Sequence, residues 1–130
     1  MTRRPLTVAI IEDDSSMRKS IERLLNACGI AVEGFATAEA FLECRAEHGF
    51  VCTIVDIHLP GMSGFELRRE LDRRGAGLPV IFITAIDDET LRDLAVESGC
   101  VAYLHKPFAP EQLIAAVKST LGPEARPVPR

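Results

Sequence analysis

The chain has 130 residues, 47% of them hydrophobic and 26% charged, which is enough to bury the core of one domain. Its net charge of -4 disfavours non-specific binding to nucleic acid or to an anionic membrane. The apolar runs stay well short of the roughly 18 residues of a membrane-spanning helix, and the first run reaches Glu12 too soon to be a signal peptide. These features predict a cytoplasmic protein without a membrane or direct nucleic-acid partner.

The four cysteines give no sign of a metal site or a disulfide framework. They are Cys28, Cys44, Cys52 and Cys100, which form no C-x-x-C pair and have no histidine at zinc-ligand spacing. Each falls within an apolar pattern, so we expect small buried hydrophobic side chains that stay reduced.

Apolar runs alternate with amphipathic segments along the chain. Runs rich in branched residues predict strands at residues 6–11, 30–35, 51–56, 79–83 and 101–104. The third run is apolar or β-branched until it ends in the carboxylate of Asp56. That charge lies either in solvent or in a site at the carboxyl end of the strand.

Several helices carry capping signals at their starts. Ser15 and Ser16 are expected to cap the first helix. Ser63 is followed three residues later by Glu66, which is the spacing of a capping box. Pro110 is expected at the first position of the last helix, where proline is favoured.

The order of strand then helix, repeated five times, predicts an α/β fold. Right-handed connections between such units give a doubly wound, five-stranded parallel sheet with helices on both faces. We expect one domain at residues 1–122 and a proline-rich tail at residues 123–130. In an open parallel sheet, sites form outside the carboxyl ends of the strands, where the strand order reverses.

Polar side chains stand at those strand ends. Glu12 and Asp13 follow the first strand and Asp56 ends the third, while Thr84 and Lys106 follow the fourth and fifth. Neighbouring carboxylates repel one another, and a divalent cation relieves that repulsion. Oxygen ligands without imidazole or thiolate suit Mg²⁺ or Mn²⁺.

The same set of residues suits a phosphoryl group. Lys106 would act as a point charge and Thr84 as a hydrogen-bond donor to phosphoryl oxygens, with the central Asp56 as the acceptor of that group. Each residue also has a plain structural interpretation. Glu12 and Asp13 could cap the first helix, Asp56 could close a turn, Thr84 could be structural and Lys106 could be solvated. Their coincidence at one sheet edge favours a site.

Four segments carry a resemblance to a known family. They are residues 10–13 (IIED), 55–64 (VDIHLPGMSG), 79–85 (PVIFITA) and 103–108 (YLHKPF). The sequence resembles the receiver domain of bacterial two-component response regulators, in the CheY-like superfamily, over residues 6–121. The second and fourth segments are specific to this family when they occur together.

The resemblance implies a flavodoxin-like (βα)5 fold with strand order 2-1-3-4-5. It implies that Asp56 accepts a phosphoryl group from a sensor histidine kinase or a phosphotransfer protein, and that a downstream protein partner responds. Such a domain is a phosphoacceptor switch rather than an enzyme with an external substrate. Whether it stands alone, relays the group or belongs to a longer regulator is left open.

Further residue roles follow from the resemblance. Asp13 and Asp56 would ligate Mg²⁺ together with the backbone carbonyl of His58, and Glu12 would act through water. Glu12 stands where aspartate is commoner in the family, so its extra methylene could shift a metal-bound water.

The switch is also implied by the resemblance. Thr84 and Lys106 would bind the phosphoryl group, Thr84 would move toward it, and Tyr103 would turn inward. This would repack the face formed by the fourth helix, fifth strand and fifth helix. The resemblance also implies a possible homodimer, because members of the family commonly dimerise through this face. The bond between Lys106 and Pro107 is expected to be cis.

Two alternatives remain. A degenerate receiver would only bind partners, but Asp13, Asp56, Thr84 and Lys106 are all present, which argues against it. A metal-dependent phosphohydrolase with Asp56 as nucleophile would require a second aspartate two residues later, where this chain has His58.

Overall fold

The computed structural model describes residues 7–44, 49–86 and 88–121. Over these residues, five strands alternate with five helices, as the sequence predicts. The strands are β1 (Thr7–Ile11), β2 (Ala31–Phe35), β3 (Cys52–Asp56), β4 (Val80–Thr84) and β5 (Ala102–His105). The helices are α1 (Ser15–Ala27), α2 (Ala38–Glu43), α3 (Gly64–Arg73), α4 (Glu89–Glu97) and α5 (Pro110–Thr120).

All five strands lie in one parallel sheet with the order β2-β1-β3-β4-β5. The predicted doubly wound fold and the strand order 2-1-3-4-5 are therefore confirmed. Strand β3 is central, and every residue of β3 and β4 is buried. The strand order reverses between β1 and β3, so the carboxyl ends of these two strands form the switch point at which sites are expected.

Each face of the sheet has its own hydrophobic core, because alternate side chains of a strand point to opposite faces. Helices α2, α3 and α4 cover one face, where the buried residues include Phe41, Leu67, Phe82 and Ala95. Helices α1 and α5 cover the other face, where they include Leu25, Ile54, Leu113 and Val117. Packing on both sides explains the uninterrupted apolar run that ends at Asp56.

The capping predictions are confirmed for α3 and α5 and wrong for α1. The Ser63 hydroxyl accepts a hydrogen bond from the Glu66 N–H at 3.2 Å, and the Glu66 carboxylate accepts one from the Ser63 N–H at 2.9 Å. Pro110 is the first residue of α5. Asp14, not a serine, caps α1, because its carboxylate accepts hydrogen bonds from two first-turn N–H groups.

The prediction of four buried cysteines is wrong for two of them. All four are free thiols, but only Cys52 is buried, while Cys28 and Cys44 are exposed and Cys100 is half-buried. Cys28 and Cys44 are the C-terminal caps of α1 and α2. The apolar pattern of each helix extends to its C-terminal cap, but the side chain of the cap residue is exposed and does not contribute to the core.

Several expectations concern the edges of the described chain. Leu121 is the last described residue, so the predicted boundary at 122 and the tail at 123–130 lie outside the described residues.

The peptide bond between Lys106 and Pro107 is cis, as the resemblance implies. Within the described ranges, no helix is long and apolar enough to cross a membrane.

Candidate functional site

The predicted polar residues meet at the carboxyl edge of the sheet. Glu12 directly follows β1, and its N–H donates a hydrogen bond to the Phe35 carbonyl at 3.0 Å. Asp56 and Thr84 are the last residues of β3 and β4. Lys106 directly follows β5, and its N–H donates to the Thr84 carbonyl at 2.7 Å. Because the strands are parallel and paired in register, these residues lie side by side along the same edge of the sheet.

Lys106 joins two carboxylates across the sheet. Its Nζ lies 2.6 Å from Glu12 Oε1 and 2.9 Å from Asp56 Oδ2. The side chains of Lys106, Glu12 and Asp56 are only 15%, 1% and 8% exposed. The interpretation of Lys106 as a solvated residue is therefore wrong.

Glu12 is the most deeply buried acid of the group. Burial raises the pKa of its carboxyl from 4.5 to about 7, and the nearby charge of Asp56 adds to this shift. Hydrogen bonds from Lys106 and from the Asp14 N–H, which lies 3.2 Å from Glu12 Oε2, lower the pKa and oppose the effect of burial. Since Asp14 caps α1, Glu12 does not serve as the helix cap.

Lys106 remains a cation in this environment. Burial by itself would lower the pKa of its ammonium group, but the hydrogen bonds to Glu12 and Asp56, together with the negative charges of these carboxylates, outweigh burial and raise that pKa. A positive charge therefore stands between the two carboxylates, where it offsets part of their mutual repulsion.

Asp56 has a separate contact for each carboxylate oxygen. Oδ1 accepts a hydrogen bond from the His58 N–H at 2.9 Å, and Oδ2 accepts one from Lys106 at 2.9 Å. The first contact is that of a turn residue, so the plain structural interpretation accounts for one oxygen only. The second holds Asp56 in the polar cluster.

Glu12, Asp13 and Asp56 together could hold a metal ion. Each offers a carboxylate oxygen, and these oxygens lie within 4.8 Å of one another. Asp13 is exposed, whereas the other two carboxylates are buried. A set of carboxylate oxygens, open to solvent at one residue, fits Mg²⁺, which keeps several waters and binds one or two protein carboxylates.

Thr84 and Tyr103 are connected through a third residue. Thr84 is fully buried, and its hydroxyl oxygen accepts a hydrogen bond from the Ile86 N–H at 3.1 Å. The Tyr103 hydroxyl donates to the Ile86 carbonyl at 3.4 Å, and the Arg92 guanidinium lies 5.7 Å from the Tyr103 ring centroid. Ile86 thus links the end of β4 to the side chain on β5.

Gly64 allows α3 to begin close to the end of β3. A Cβ at this position would lie 2.8 Å from the Asp56 carbonyl oxygen and 2.9 Å from the Ile57 Cα. Both neighbours are backbone atoms and cannot move independently of the strand. The glycine therefore sets the distance between α3 and the backbone that carries Asp56.

Sequence reasoning missed two contacts around the site. Glu39 of α2 accepts a hydrogen bond from the Met62 N–H at 2.9 Å, in the loop that follows β3. Arg18 of α1 donates to the Glu12 carbonyl at 2.7 Å. Both residues lie on helices whose patterning indicates only an exposed polar side, so no local signal would have found them.

The fold and site define a doubly wound α/β protein with an acidic, lysine-containing cluster at its switch point. The family model described as response regulator receiver domain matches residues 8–118. The chain belongs to this family, the phosphoacceptor domains of two-component signalling.

Several longer regulatory proteins are similar to this chain in sequence. Transcriptional regulatory protein FixJ of Azorhizobium caulinodans is 39% identical over 120 residues, covering 92% of this chain and 57% of that protein. Nodulation protein W of Bradyrhizobium diazoefficiens is 36% identical over 110 residues, covering 85% of this chain and 48% of that protein. The chain spans about half the length of these relatives.

Solved structures agree with the fold. The response regulator StyR has a TM-score of 0.84 at 36% identity, covering 91% of this chain and 60% of that one. The structure named FixJ-N has a TM-score of 0.80 at 32% identity, covering 91% and 94%. Chemotaxis protein CheY4 of Vibrio cholerae has a TM-score of 0.81 at 24% identity, covering 91% and 100%, a likeness that shows the fold alone.

Proposed function

We propose that Asp56 is the phosphoacceptor of this receiver. The observation that carries the proposal is its position: it ends the central strand at the switch point, and Lys106 holds one of its oxygens at 2.9 Å. A phosphohistidine of a sensor kinase or phosphotransfer protein would supply the group. An Asp56 carboxylate oxygen forms the new O–P bond while the N–P bond breaks, and the histidine ring leaves and takes up a proton.

The residues of the site divide the remaining work. Asp13, Asp56 and the backbone carbonyl of His58 would hold Mg²⁺, with Mn²⁺ as a substitute, and Glu12 would act through water. Support comes from the carboxylate oxygens within 4.8 Å of one another. When bound, the cation supplies positive charge to the oxygens of the transferring phosphoryl group.

Lys106 and Thr84 would bind the phosphoryl oxygens. Lys106 already points its ammonium at Asp56, so it needs only to exchange a carboxylate oxygen for a phosphoryl oxygen. The Thr84 oxygen accepts a hydrogen bond from the Ile86 N–H, which leaves the hydroxyl proton available for donation. A movement of Thr84 would disturb Ile86, and with it the hydrogen bond from Tyr103.

The output of the switch would be a change of the α4–β5–α5 face, read by a downstream protein or by a second copy of the chain. Val96 on α4 and Val101 beside β5 support this, because these large apolar side chains are 66% and 41% exposed. Isolated exposed apolar residues are ordinary, but Val96 lies one helical turn beyond Arg92, whose guanidinium is 5.7 Å from the Tyr103 ring centroid, which suits a regulated contact. We place this activity in the cytoplasm and assign it to residues 1–122, followed by the tail at 123–130.

The test is Mg²⁺-dependent uptake of phosphoryl group from acetyl phosphate. We expect the wild-type chain to gain the mass of one phosphoryl group, which alkali removes, and Asp56→Asn to gain none. Asp93→Asn, which changes an exposed carboxylate on α4, is the matched control and should behave as wild type. Uptake that persists in Asp56→Asn would refute the assignment.

A further inference from the structure

The carboxylate of Glu39 reaches from α2 to the loop that follows β3. Its Oε2 accepts a hydrogen bond from the Met62 N–H at 2.9 Å. Gly61 is in the left-handed region, with φ of 74°, and a Cβ added there would lie 2.6 Å from the same oxygen. Glu39 therefore packs directly on the loop backbone, and the glycine is what makes that approach feasible.

This loop connects Asp56 to α3 and is fixed at both ends by other contacts. At its start, the Ile57 N–H donates to the Ile83 carbonyl at 3.0 Å, and the His58 N–H donates to Asp56. At its end, Ser63 and Glu66 form the capping box of α3. Glu39 holds the segment between these ends, where Gly61 gives the backbone the most freedom.

The hydrogen bond from Met62 to Glu39 has a charged acceptor, which makes such bonds shorter and stronger than neutral ones. Glu39 itself is fixed by its place in the first turn of α2, whose N-terminal cap Thr37 accepts a hydrogen bond from the Ala40 N–H at 3.0 Å. Helix α2 is anchored in the core by Phe41, and its Glu39 carboxylate binds the N–H of Met62 in the loop.

We propose that Glu39 is a positioning residue for the metal site. By holding Gly61 and Met62, it fixes the loop backbone that includes the His58 carbonyl, and so sets the affinity of the site for Mg²⁺. The proposal rests on the proposed function, because that function assigns the carbonyl to the metal. Glu39 touches neither Asp56 nor the transferred group, so the chemical step itself should not depend on it.

The test combines three variants with two readouts. Glu39→Ala removes the acceptor, Glu39→Gln retains one amide oxygen, and Glu43→Ala changes an exposed carboxylate of the same helix as the matched control. The first readout is amide hydrogen exchange at Met62 without metal. The second is the initial rate of phosphoryl uptake from acetyl phosphate as a function of Mg²⁺ concentration.

We expect Glu39→Ala to accelerate exchange at Met62 and to raise the half-saturating Mg²⁺ concentration about tenfold, the effect typical of residues that orient metal ligands. The rate at saturating Mg²⁺ should stay within about twofold of wild type, since the phosphoacceptor and its partners are untouched. Glu39→Gln should recover most of the affinity, and Glu43→Ala should match wild type in both readouts.

Two results would overturn the proposal while the proposed function stands. One is unchanged Met62 exchange and Mg²⁺ dependence in Glu39→Ala, and the other is a lower saturating rate at unchanged half-saturation. If the wild-type chain neither binds Mg²⁺ nor takes up a phosphoryl group, the proposed function fails and this proposal fails with it. The wild-type measurement distinguishes the two cases.

Discussion

At the scale of single residues, Lys106 is the group on which the electrostatics of the site depend. It is the cation within hydrogen-bond distance of both Glu12 and Asp56, and all three side chains are largely removed from water. Removing one partner of a buried ion pair leaves an uncompensated charge, which costs far more than the pair itself contributes to stability.

Lys106→Met is therefore expected to destabilise the metal-free protein by about 3 kcal/mol, because it leaves two buried carboxylates facing each other without a cation. Urea unfolding in the presence of a chelator measures this loss. Lys118→Met, which changes a half-exposed lysine of α5, is the control and should cost less than about 0.5 kcal/mol. Equal stability of the two variants would show that Lys106 does not neutralise the acids.

The sequence predicts which residues gather at the site, but not which atoms meet. Runs of apolar residues place Glu12, Asp56 and Lys106 at strand ends, and topology then brings the ends together. The contact of Lys106 with Glu12 spans 94 positions, and that of Met62 with Glu39 spans 23. Whether two such distant residues come into contact depends on the twist of the sheet and on the length of each side chain, and no local sequence pattern contains this information.

At the scale of elements, the junction of β3 with α3 determines where the Asp56 backbone lies. Gly64 begins α3 so close to that backbone that an added Cβ would lie 2.8 Å from the Asp56 carbonyl oxygen, and its N–H donates to the Ile57 carbonyl at 2.9 Å. A side chain at this position would push α3 away from the strand, or push the strand end out of the site.

Gly64→Ala is expected to cost about 2 kcal/mol of unfolding free energy, as overpacking against backbone atoms does, and to slow phosphoryl uptake. Gly34→Ala is the control for stability, because the three atoms nearest to its Cβ belong to the flexible side chains of Glu22 and Arg18 and not to backbone. Those side chains can shift without moving the strand, so the control should lose less than about 1 kcal/mol. Chemical denaturation compares the stability of the two variants, acetyl phosphate kinetics measures uptake by Gly64→Ala, and equal losses of stability would contradict the steric account.

The order and type of the elements could be predicted because each has its own periodicity, but their ends could not. Strands predicted to begin at Ile30, Pro79 and Val101 each begin one residue later. The Pro79 carbonyl accepts a hydrogen bond from Thr53 of β3, and the Val101 N–H donates one to Val80 of β4. Hydrogen bonding between strands therefore extends one residue beyond the assigned strand ends. The sequence does not single out the cap of α1, because Asp14 and the two serines after it are all favoured capping residues.

At the scale of the whole molecule, the site connects elements that are distant in the chain. Lys106 follows β5 at one edge of the sheet. Its partners lie on the far side of β4, where Asp56 ends β3 and Glu12 follows β1. Any ligand that binds only this assembled cluster stabilises the whole fold, because the unfolded chain does not hold the carboxylates together.

Mg²⁺ should therefore raise the thermal unfolding midpoint of the wild-type chain, with a gain of about 1.4 kcal/mol at ten times its dissociation constant. Asp13→Asn should lose most of this gain, because it removes the exposed carboxylate of the cluster. Asp93→Asn should retain it. A calorimetric scan with increasing Mg²⁺ makes the comparison, and an equal response of both variants would place the cation elsewhere.

The central claim is that Asp56 carries the phosphoryl group, and its most direct test is to locate that group covalently. After incubation with acetyl phosphate and Mg²⁺, borohydride reduces an aspartyl phosphate to homoserine, which peptide mass spectrometry then assigns to a position. The account predicts homoserine at position 56 and unmodified aspartate at position 13. Modification at position 13, or at no aspartate in a chain that has taken up the group, would contradict it.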